Sequence, residues 1–209
     1  MRNYIYLLNF VLVGGLLLTL GCATKFPTHP TLNLVDENEY YKAVKTFSDR
    51  KQIYDGFYNT LDLSMTFLNT PVSRMQLDEN ARIYQWSEDI YNNEKSKNED
   101  RLAKQTDFFL SLYTPESKNN DLNKTKTLWK VFLDAGGKRY EAKVIKIKTL
   151  PTETLALYPN YNRFSTPYKV TFPVPISLVE NQESKVTITG PVGSAQLVFK
   201  NADSLSNTK

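Results

Sequence analysis

The stretch LDLSMTFL, Leu61 to Leu68, decides the fold of this 209-residue chain. Apolar side chains at positions 61, 63, 65 and 67 alternate with polar side chains at positions 62, 64 and 66. Successive side chains of a strand point to opposite faces of a sheet, so an alternation with a period of two is typical of a β-strand. We therefore predict a strand here, with one face in a core and the other face in water.

The residues just before this strand predict its partner. The segment IYDGFY, Ile53 to Tyr58, places Asp-Gly between aromatic residues. Asp-Gly is a strong signal for a two-residue hairpin turn, because both turn positions need a positive φ. The preceding segment, from about Val44 to Tyr54, is therefore predicted to be the paired strand.

Two helix starts follow the strand. Thr70 precedes Pro71, and this pair predicts a helix from Pro71 to about Gln85 with Thr70 as its N-cap. Ser87, followed by acidic residues, predicts a second N-cap and a helix that continues to about Gln105. The two helices form a predicted insertion, about residues 71–105, beside the sheet.

Strand signals dominate the remainder of the body. Glycine-containing turns at residues 134–137 and 190–193 predict two further hairpins. About eight short strands joined by turns predict a mainly β fold, an antiparallel Ig-like β-sandwich over residues 39–200, and a disordered tail over residues 201–209. The further predicted strands are Asp107 to Tyr113, Leu128 to Leu133, Lys138 to Lys148, Tyr168 to Phe172, Lys185 to Thr189, and Ala195 to Lys200.

The first 22 residues, MRNYIYLLNFVLVGGLLLTLGC, form a leader. Arg2 is positive, Tyr4 to Leu20 carries no charge, and Gly21 precedes Cys22, the only cysteine of the chain. A positive start, an apolar segment and a small residue at its exit are typical of a secretory signal peptide. An uncleaved membrane helix is an alternative, since about 20 apolar residues span a bilayer, and ordinary secretion is another.

The segment Leu18 to Cys22, LTLGC, resembles the lipobox of bacterial lipoprotein precursors, although Thr19 stands where that family usually has leucine. The resemblance implies a signal peptide over residues 1–21, a diacylglycerol on the sulfur of Cys22 and an acyl group on its new amino terminus. Ala23 follows the cysteine, not aspartate, which in that family implies the outer membrane, facing the periplasm. Each buried lipid methylene contributes about 0.8 kcal/mol, so two or three chains give a stable anchor.

A polar segment connects this anchor to the body. Residues 23–38, ATKFPTHPTLNLVDEN, contain two prolines and several threonines and have no periodicity. We predict that residues 22–38 are a lipidated N-terminus with a flexible tether, which reaches about 50 Å at about 3.3 Å per residue. His29, the only histidine, lies in this segment.

Composition narrows the functional class. The 26 basic and 22 acidic residues give a net charge of only +4, which does not indicate a nucleic-acid partner. With His29 in the tether and Cys22 at the anchor, the body lacks histidine and cysteine for nucleophilic or metal chemistry. We predict no catalytic residues, no metal and no cofactor. An envelope-associated enzyme that uses two carboxylates stays an alternative, because glycosidases need only two acids.

One loop, LYPNYNRFSTPY (Leu157 to Tyr168), combines aromatic rings, prolines and an arginine. These residue types are enriched at binding hot spots, so exposed rings here predict contact with a protein or a glycan. The alternative is that the rings close one end of the sandwich as part of the core. The predicted contact residues are Tyr158, Tyr161, Arg163, Phe164 and Tyr168.

The order of a strand hairpin, two helices and then the segments FFLSLYTP, NNDL and LWKVFL resembles an uncharacterised domain of envelope lipoproteins. This resemblance covers about Val44 to Lys200 and implies no known activity. The sequence therefore predicts a lipid-anchored envelope protein with a binding or scaffolding role and no catalysis. Its predicted partners are the membrane, through Cys22, and an envelope protein or glycan. A membrane-anchored structural protein, or a spacer without a specific partner, is the alternative.

Overall fold

A computed structural model of the chain describes residues 29–201. Within these residues the chain forms nine β-strands in two antiparallel sheets and four α-helices, so the mainly β class is confirmed. No helix in this part of the chain has both the length and the apolar composition needed to cross a bilayer. The predicted signal peptide, Cys22 and residues 202–209 of the predicted tail lie outside the described residues.

The strands are numbered here in chain order. They are β1 (Ser48–Asp55), β2 (Tyr58–Phe67), β3 (Thr106–Tyr113), β4 (Lys130–Ala135), β5 (Lys138–Glu141), β6 (Lys143–Lys146), β7 (Thr166–Phe172), β8 (Ser184–Gly190) and β9 (Gly193–Phe199). The first sheet has the order β1-β2-β3-β7-β6, and the second has the order β5-β4-β8-β9. Neighbouring strands in both sheets are antiparallel.

The predicted single strand from Lys138 to Lys148 is wrong in one respect. β5 pairs with β4 in the second sheet, whereas β6 pairs with β7 in the first sheet. The chain changes sheets at Ala142, whose N–H donates to the carbonyl of Val131 at 3.0 Å. This crossing explains why the lysines of the segment alternate imperfectly, and it raises the strand count above the predicted eight.

The helices are also numbered in chain order. They are α1 (Glu37–Thr46), α2 (Thr70–Tyr84), α3 (Glu88–Leu102) and α4 (Pro151–Leu157). Helices α2 and α3 confirm the predicted insertion. Helix α3 lies entirely within the described residues and buries only Leu102, as its polar sequence predicts.

The helix caps agree only in part with prediction. The Ser87 hydroxyl accepts the Ile90 N–H at 3.4 Å, which confirms Ser87 as the N-cap of α3. The N-cap of α2 is Asn69, not Thr70, because the Asn69 carbonyl oxygen accepts the Val72 N–H at 3.1 Å. Thr70 instead donates its N–H and its hydroxyl to the carboxylate of Glu180, each at 2.9 Å.

The predicted strand beginning near Val44 is wrong in its first part, because α1 occupies residues 37–46 and β1 begins at Ser48. The Asp36 side chain caps α1 by accepting the Asn38 N–H at 2.8 Å. Tyr40, Ala43 and Val44 are the buried residues of this helix. Their spacing of three and four residues is the helical period, which places them on one face.

The predicted flexible tether over residues 22–38 differs from the structure in its second half. The Nε2 atom of His29 lies 2.7 Å from the carbonyl oxygen of Trp86. The Val35 N–H donates to the Asp78 carboxylate at 3.1 Å, and α1 begins at Glu37. Residues 29–36 therefore lie against the helical insertion, and only residues 22–28 of the predicted tether lie outside the described part of the chain.

The helices cover one face of the first sheet. The Tyr40 hydroxyl in α1 donates to the Leu157 carbonyl at 2.6 Å, and the Tyr158 ring after α4 stacks on Phe109 of β3 with ring centroids 3.7 Å apart. Ser64 and Thr66 of β2 are consequently buried. The predicted contact of this polar face with water is wrong, since the helical layer covers it.

The other face of the first sheet meets the second sheet across an aromatic core. Phe108 of β3 lies at its centre. Its ring centroid is 4.8 Å from that of Phe67, 5.0 Å from that of Phe199 and 5.7 Å from that of Phe172. All four side chains are buried. The middle of the first sheet, at β3, is thus buried on both faces, between helices on one side and the second sheet on the other.

Phe108→Ala is expected to lower the free energy of unfolding by about 3–5 kcal/mol, the range for removing a buried phenylalanine ring. Urea unfolding followed by circular dichroism measures this change. Phe164→Ala is the control, since its ring is 76% exposed, and surface changes of this kind stay within about 0.5 kcal/mol. Equal losses in the two variants would contradict the central position of Phe108.

Candidate functional site

The predicted contact loop after α4 does not expose its tyrosines. The Tyr158, Tyr161 and Tyr168 side chains are all buried. The Tyr158 hydroxyl oxygen accepts the Gln76 side-chain N–H at 2.6 Å, and burial raises the pKa of Tyr158 to about 12. The Tyr168 hydroxyl donates to the side-chain oxygen of Asn120 at 2.8 Å. The alternative interpretation, in which these rings belong to the core, is the one that the structure supports.

Two of the five predicted contact residues do reach the surface. Arg163 is exposed, and Phe164 exposes 76% of its surface. The hydroxyl of Tyr161 donates to the Ser165 carbonyl at 3.2 Å, so the loop folds back on itself around the two exposed residues. The structure therefore does not bring the five predicted residues together as one surface.

Three other aromatic rings are exposed at and beside the turn between β1 and β2. Phe57 is fully exposed, Tyr58 is 80% exposed and Tyr54 is 55% exposed. We call these three residues the aromatic hairpin tip. The strand register places Tyr54 and Tyr58 on opposite faces of the hairpin, with Phe57 at the turn between them. Three exposed rings within residues 54–58 make this turn a candidate interaction site, whereas single exposed apolar side chains need no explanation.

The turn chemistry explains why Phe57 lies at the apex. Asp55 pairs with Tyr58, so the two turn residues are Gly56 and Phe57, one position later than the predicted Asp-Gly pair. Gly56 has φ +59°, a conformation that glycine adopts at little cost. The hairpin prediction is confirmed, but the shift by one residue places a phenylalanine at a position with no neighbouring layer to cover it.

The base of the hairpin is braced on both sides. Ile53 pairs with the buried Leu61 and packs against the core. The Thr60 hydroxyl donates to the Ile53 carbonyl at 3.1 Å, next to the register shift between Ile53 and Tyr54. Because the strands below the turn are fixed in this way, the rings lose little further backbone freedom when they bind a partner.

Charged groups strengthen this brace on the helix-covered side of the sheet. Arg50 of β1 donates two hydrogen bonds to the Asp62 carboxylate of β2, at 2.9 and 2.5 Å. The Gln52 side chain donates to the same carboxylate at 3.0 Å. A bidentate arginine pair has a fixed geometry, so it holds the register of the two strands.

A second candidate site surrounds the buried carboxylate of Asp107 at the start of β3. Asp107 has no exposed side-chain surface, and Arg101 of α3 and Lys169 of β7 both form ion pairs with it. The Thr171 hydroxyl donates to Asp107 at 2.6 Å. Burial opposes the charged form, but the Thr171 hydrogen bond and the two cations outweigh it and lower the pKa of Asp107.

A cavity of about 230 Å³ adjoins this cluster, and Gln76, Tyr158 and the two cations line part of it. Ligand pockets for small molecules usually have volumes of about 300–1,000 Å³. Both cations already face Asp107, and Tyr158 already bonds to Gln76. This arrangement connects α3, β3 and β7, and we interpret it as a structural ion cluster.

Within residues 29–201, no group of three or more histidine, cysteine, aspartate or glutamate side chains is placed to hold a metal ion. The chain matches no protein-family model, and no curated protein matches it. The aromatic hairpin tip, with the fully exposed Phe57, is the candidate interaction site. Its signal in the sequence is the set of aromatic residues that flank the glycine in IYDGFY, a segment that also predicts the hairpin.

Asp107→Asn is expected to lower the free energy of unfolding by about 2–3 kcal/mol at neutral pH. This is below the usual range for breaking a buried ion pair, because Arg101 and Lys169 keep some contact with water. Chemical denaturation at neutral pH measures the loss. Asp134→Asn is the matched control, since Asp134 pairs with Arg139 at the surface, where pairs contribute at most about 1 kcal/mol.

The same variant is expected to change the pH dependence of stability. Because folding lowers the pKa of Asp107, its stabilisation is complete above the unfolded value of about 3.9 and is lost as the pH falls through the folded pKa. As the pH is lowered from about 6 to about 2, the unfolding midpoint should fall more steeply in the parent protein than in Asp107→Asn. Parallel curves for the two proteins would contradict this assignment.

Proposed function

We propose that the protein is a lipid-anchored bacterial cell-envelope protein that binds a partner protein and carries out no catalysis itself. The observation that supports this role best is the fully exposed Phe57, flanked by Tyr54 and Tyr58 on a braced hairpin. A hairpin of this kind presents rigid rings without a concave pocket. The resemblance of Leu18 to Cys22 to a lipobox supports the anchored location.

In this proposal residues 1–21 are removed as a signal peptide and Cys22 carries the lipid. Ala23 after the cysteine favours the outer membrane, with the domain facing the periplasm. We also propose that the two antiparallel sheets form an Ig-like sandwich. The aromatic core that Phe67 and Phe108 of the first sheet share with Phe199 of the second sheet supports this arrangement.

The chemistry of the tip favours a protein over a glycan as the partner. Tyrosine and phenylalanine provide large contact areas with few rotatable bonds, so ordering them on binding has a small entropic cost. The apex is convex, and a convex apolar apex fits a groove in a protein, whereas a sugar ring needs a flat or concave platform. Asp55 is exposed beside the rings and favours a basic residue at the edge of that groove.

Cys22→Ser is expected to prevent both lipid attachment and processing of the leader, so that intact mass shows residues 1–21 retained and no acyl chain. Intact-mass measurement of the parent protein should then give an N-terminal cysteine with two or three acyl chains. Thr19→Leu, which strengthens the lipobox resemblance, is the control that should stay processed and membrane-bound. A parent protein with a free thiol, or with the leader retained, would rule out the proposed anchor.

A photo-reactive phenylalanine analogue at Phe57 is expected to cross-link a specific envelope protein in intact cells. The same analogue at Phe164 is the matched control, because Phe164 is 76% exposed on the other aromatic loop. Tyr58→Ser, in the chain with the analogue at Phe57, should reduce the yield of the same product roughly tenfold, as expected for a hot-spot residue. A product at Phe164 and none at Phe57 would move the contact to the loop after α4.

A further inference from the structure

The chain enters the described domain at the turn between α2 and α3. The Nε2 atom of His29 lies 2.7 Å from the Trp86 carbonyl oxygen. The Nδ1 atom accepts the Leu32 N–H at 3.0 Å. With Nδ1 as acceptor, the proton of a neutral imidazole lies on Nε2 and is donated to Trp86. His29 thus fixes the N-terminal segment to the helical turn.

Further contacts hold the segment that follows. The Val35 N–H donates to the Asp78 carboxylate at 3.1 Å, and the Arg82 guanidinium donates to the Val35 carbonyl. Arg82 also pairs with Glu79, which has no exposed side-chain surface. Because these partners all lie in the second half of α2, the chain leaves the domain at one defined corner.

The distance from this corner to the proposed lipid is short. Seven Cα–Cα steps separate Cys22 from His29, and a fully extended chain spans at most about 25 Å over seven steps. A domain of about 170 residues has a radius of gyration of about 16 Å, and hence a diameter of about 40 Å. A lipid on Cys22 therefore keeps the Trp86 corner near the bilayer and the opposite side of the domain away from it.

The corner carries the side chains that suit a lipid surface. Tyr84 is 54% exposed and Ile90 is 47% exposed. Trp86 is partly exposed, and its ring lies 6.5 Å from that of Tyr84 in a stacked arrangement. We call these three residues the aromatic corner. Tryptophan and tyrosine are enriched at membrane–water interfaces, where their rings lie at the level of the headgroups.

We propose that the aromatic corner rests on the headgroup layer of the membrane that holds the lipid on Cys22. This inference depends on the proposed lipid anchor and adds the orientation of the domain. Glu88 and Asp89 are exposed in the first turn of α3, beside the corner. Their charge favours zwitterionic headgroups over anionic ones, because a negative surface repels carboxylates.

The experiment uses the full-length lipidated protein, purified and reconstituted into vesicles of phosphatidylethanolamine and phosphatidylcholine. Part of the phosphatidylcholine is brominated near the headgroup, because bromine quenches nearby tryptophan. The chain has two tryptophans, and Trp129 is buried in the domain. The difference between the parent protein and Trp86→Phe therefore reports the Trp86 emission alone. That emission is expected to fall roughly twofold, as for a ring at the interface.

Paired variants test the surface itself. Tyr84→Ser combined with Ile90→Ser is expected to reduce the quenching of Trp86, whereas Phe164→Ser, at an exposed ring outside the aromatic corner, should leave it unchanged. Adding phosphatidylglycerol to the vesicles should also reduce the quenching. Phe57→Trp in the Trp86→Phe background reports the aromatic hairpin tip, which should not be quenched.

The outcomes separate this inference from the proposed function. Intact mass first establishes whether Cys22 carries lipid, and its absence overturns both proposals. If the protein is lipidated and Trp86 is not quenched, the proposed membrane contact of the aromatic corner is overturned, whereas the proposed lipid anchor is retained. Quenching at Phe57→Trp with none at Trp86 also overturns it, because the hairpin would then face the bilayer.

Discussion

The burial of strand β3 on both of its faces is the constraint on which the remainder of the structure depends. Phe108 and Phe109 are adjacent and point to opposite sides of the sheet. Phe108 needs the aromatic residues of the second sheet, and Phe109 needs the ring of Tyr158. A central strand with two such residues needs a covering layer on each face. Helices α1 and α4 cover one face, and the second sheet covers the other.

Local signals in the sequence predicted most of the elements but not the layers. The period of two at Leu61 to Leu68 predicted β2 correctly, but it also predicted that one face of the strand is exposed to solvent. Ser64 and Thr66 are buried with their hydroxyls partnered: the Asn160 amide donates to Ser64 at 3.0 Å, and the Ser48 and Thr66 hydroxyl oxygens lie 2.7 Å apart. A buried hydroxyl is tolerated when it has a partner, and the partner of Ser64 is 96 residues away in the chain. Periodicity within one segment carries no information about it.

The candidate site was predicted less well for a related reason. A tyrosine in a proline-containing loop is equally compatible with burial and with exposure, and only the neighbouring layer decides between them. The hydroxyls of Tyr158 and Tyr168 form hydrogen bonds with Gln76 and Asn120, which allow the two rings to be buried in the core. Phe57 is exposed because a two-residue turn leaves no space for a cover, which is a local property that IYDGFY already contains.

Helix α3 is held to the domain mainly by polar contacts and by little apolar burial. It buries one residue, Leu102, within the described part of the chain, and its polar contacts to the body are the Tyr91 hydroxyl on Asp78 and the Arg101 pair with Asp107. An element with few buried apolar contacts opens at a lower free energy than the whole domain. Its amide protons should therefore exchange with solvent through sub-global opening while those of β3 exchange only through complete unfolding, which makes the helix a separate cooperative unit on a rigid sheet.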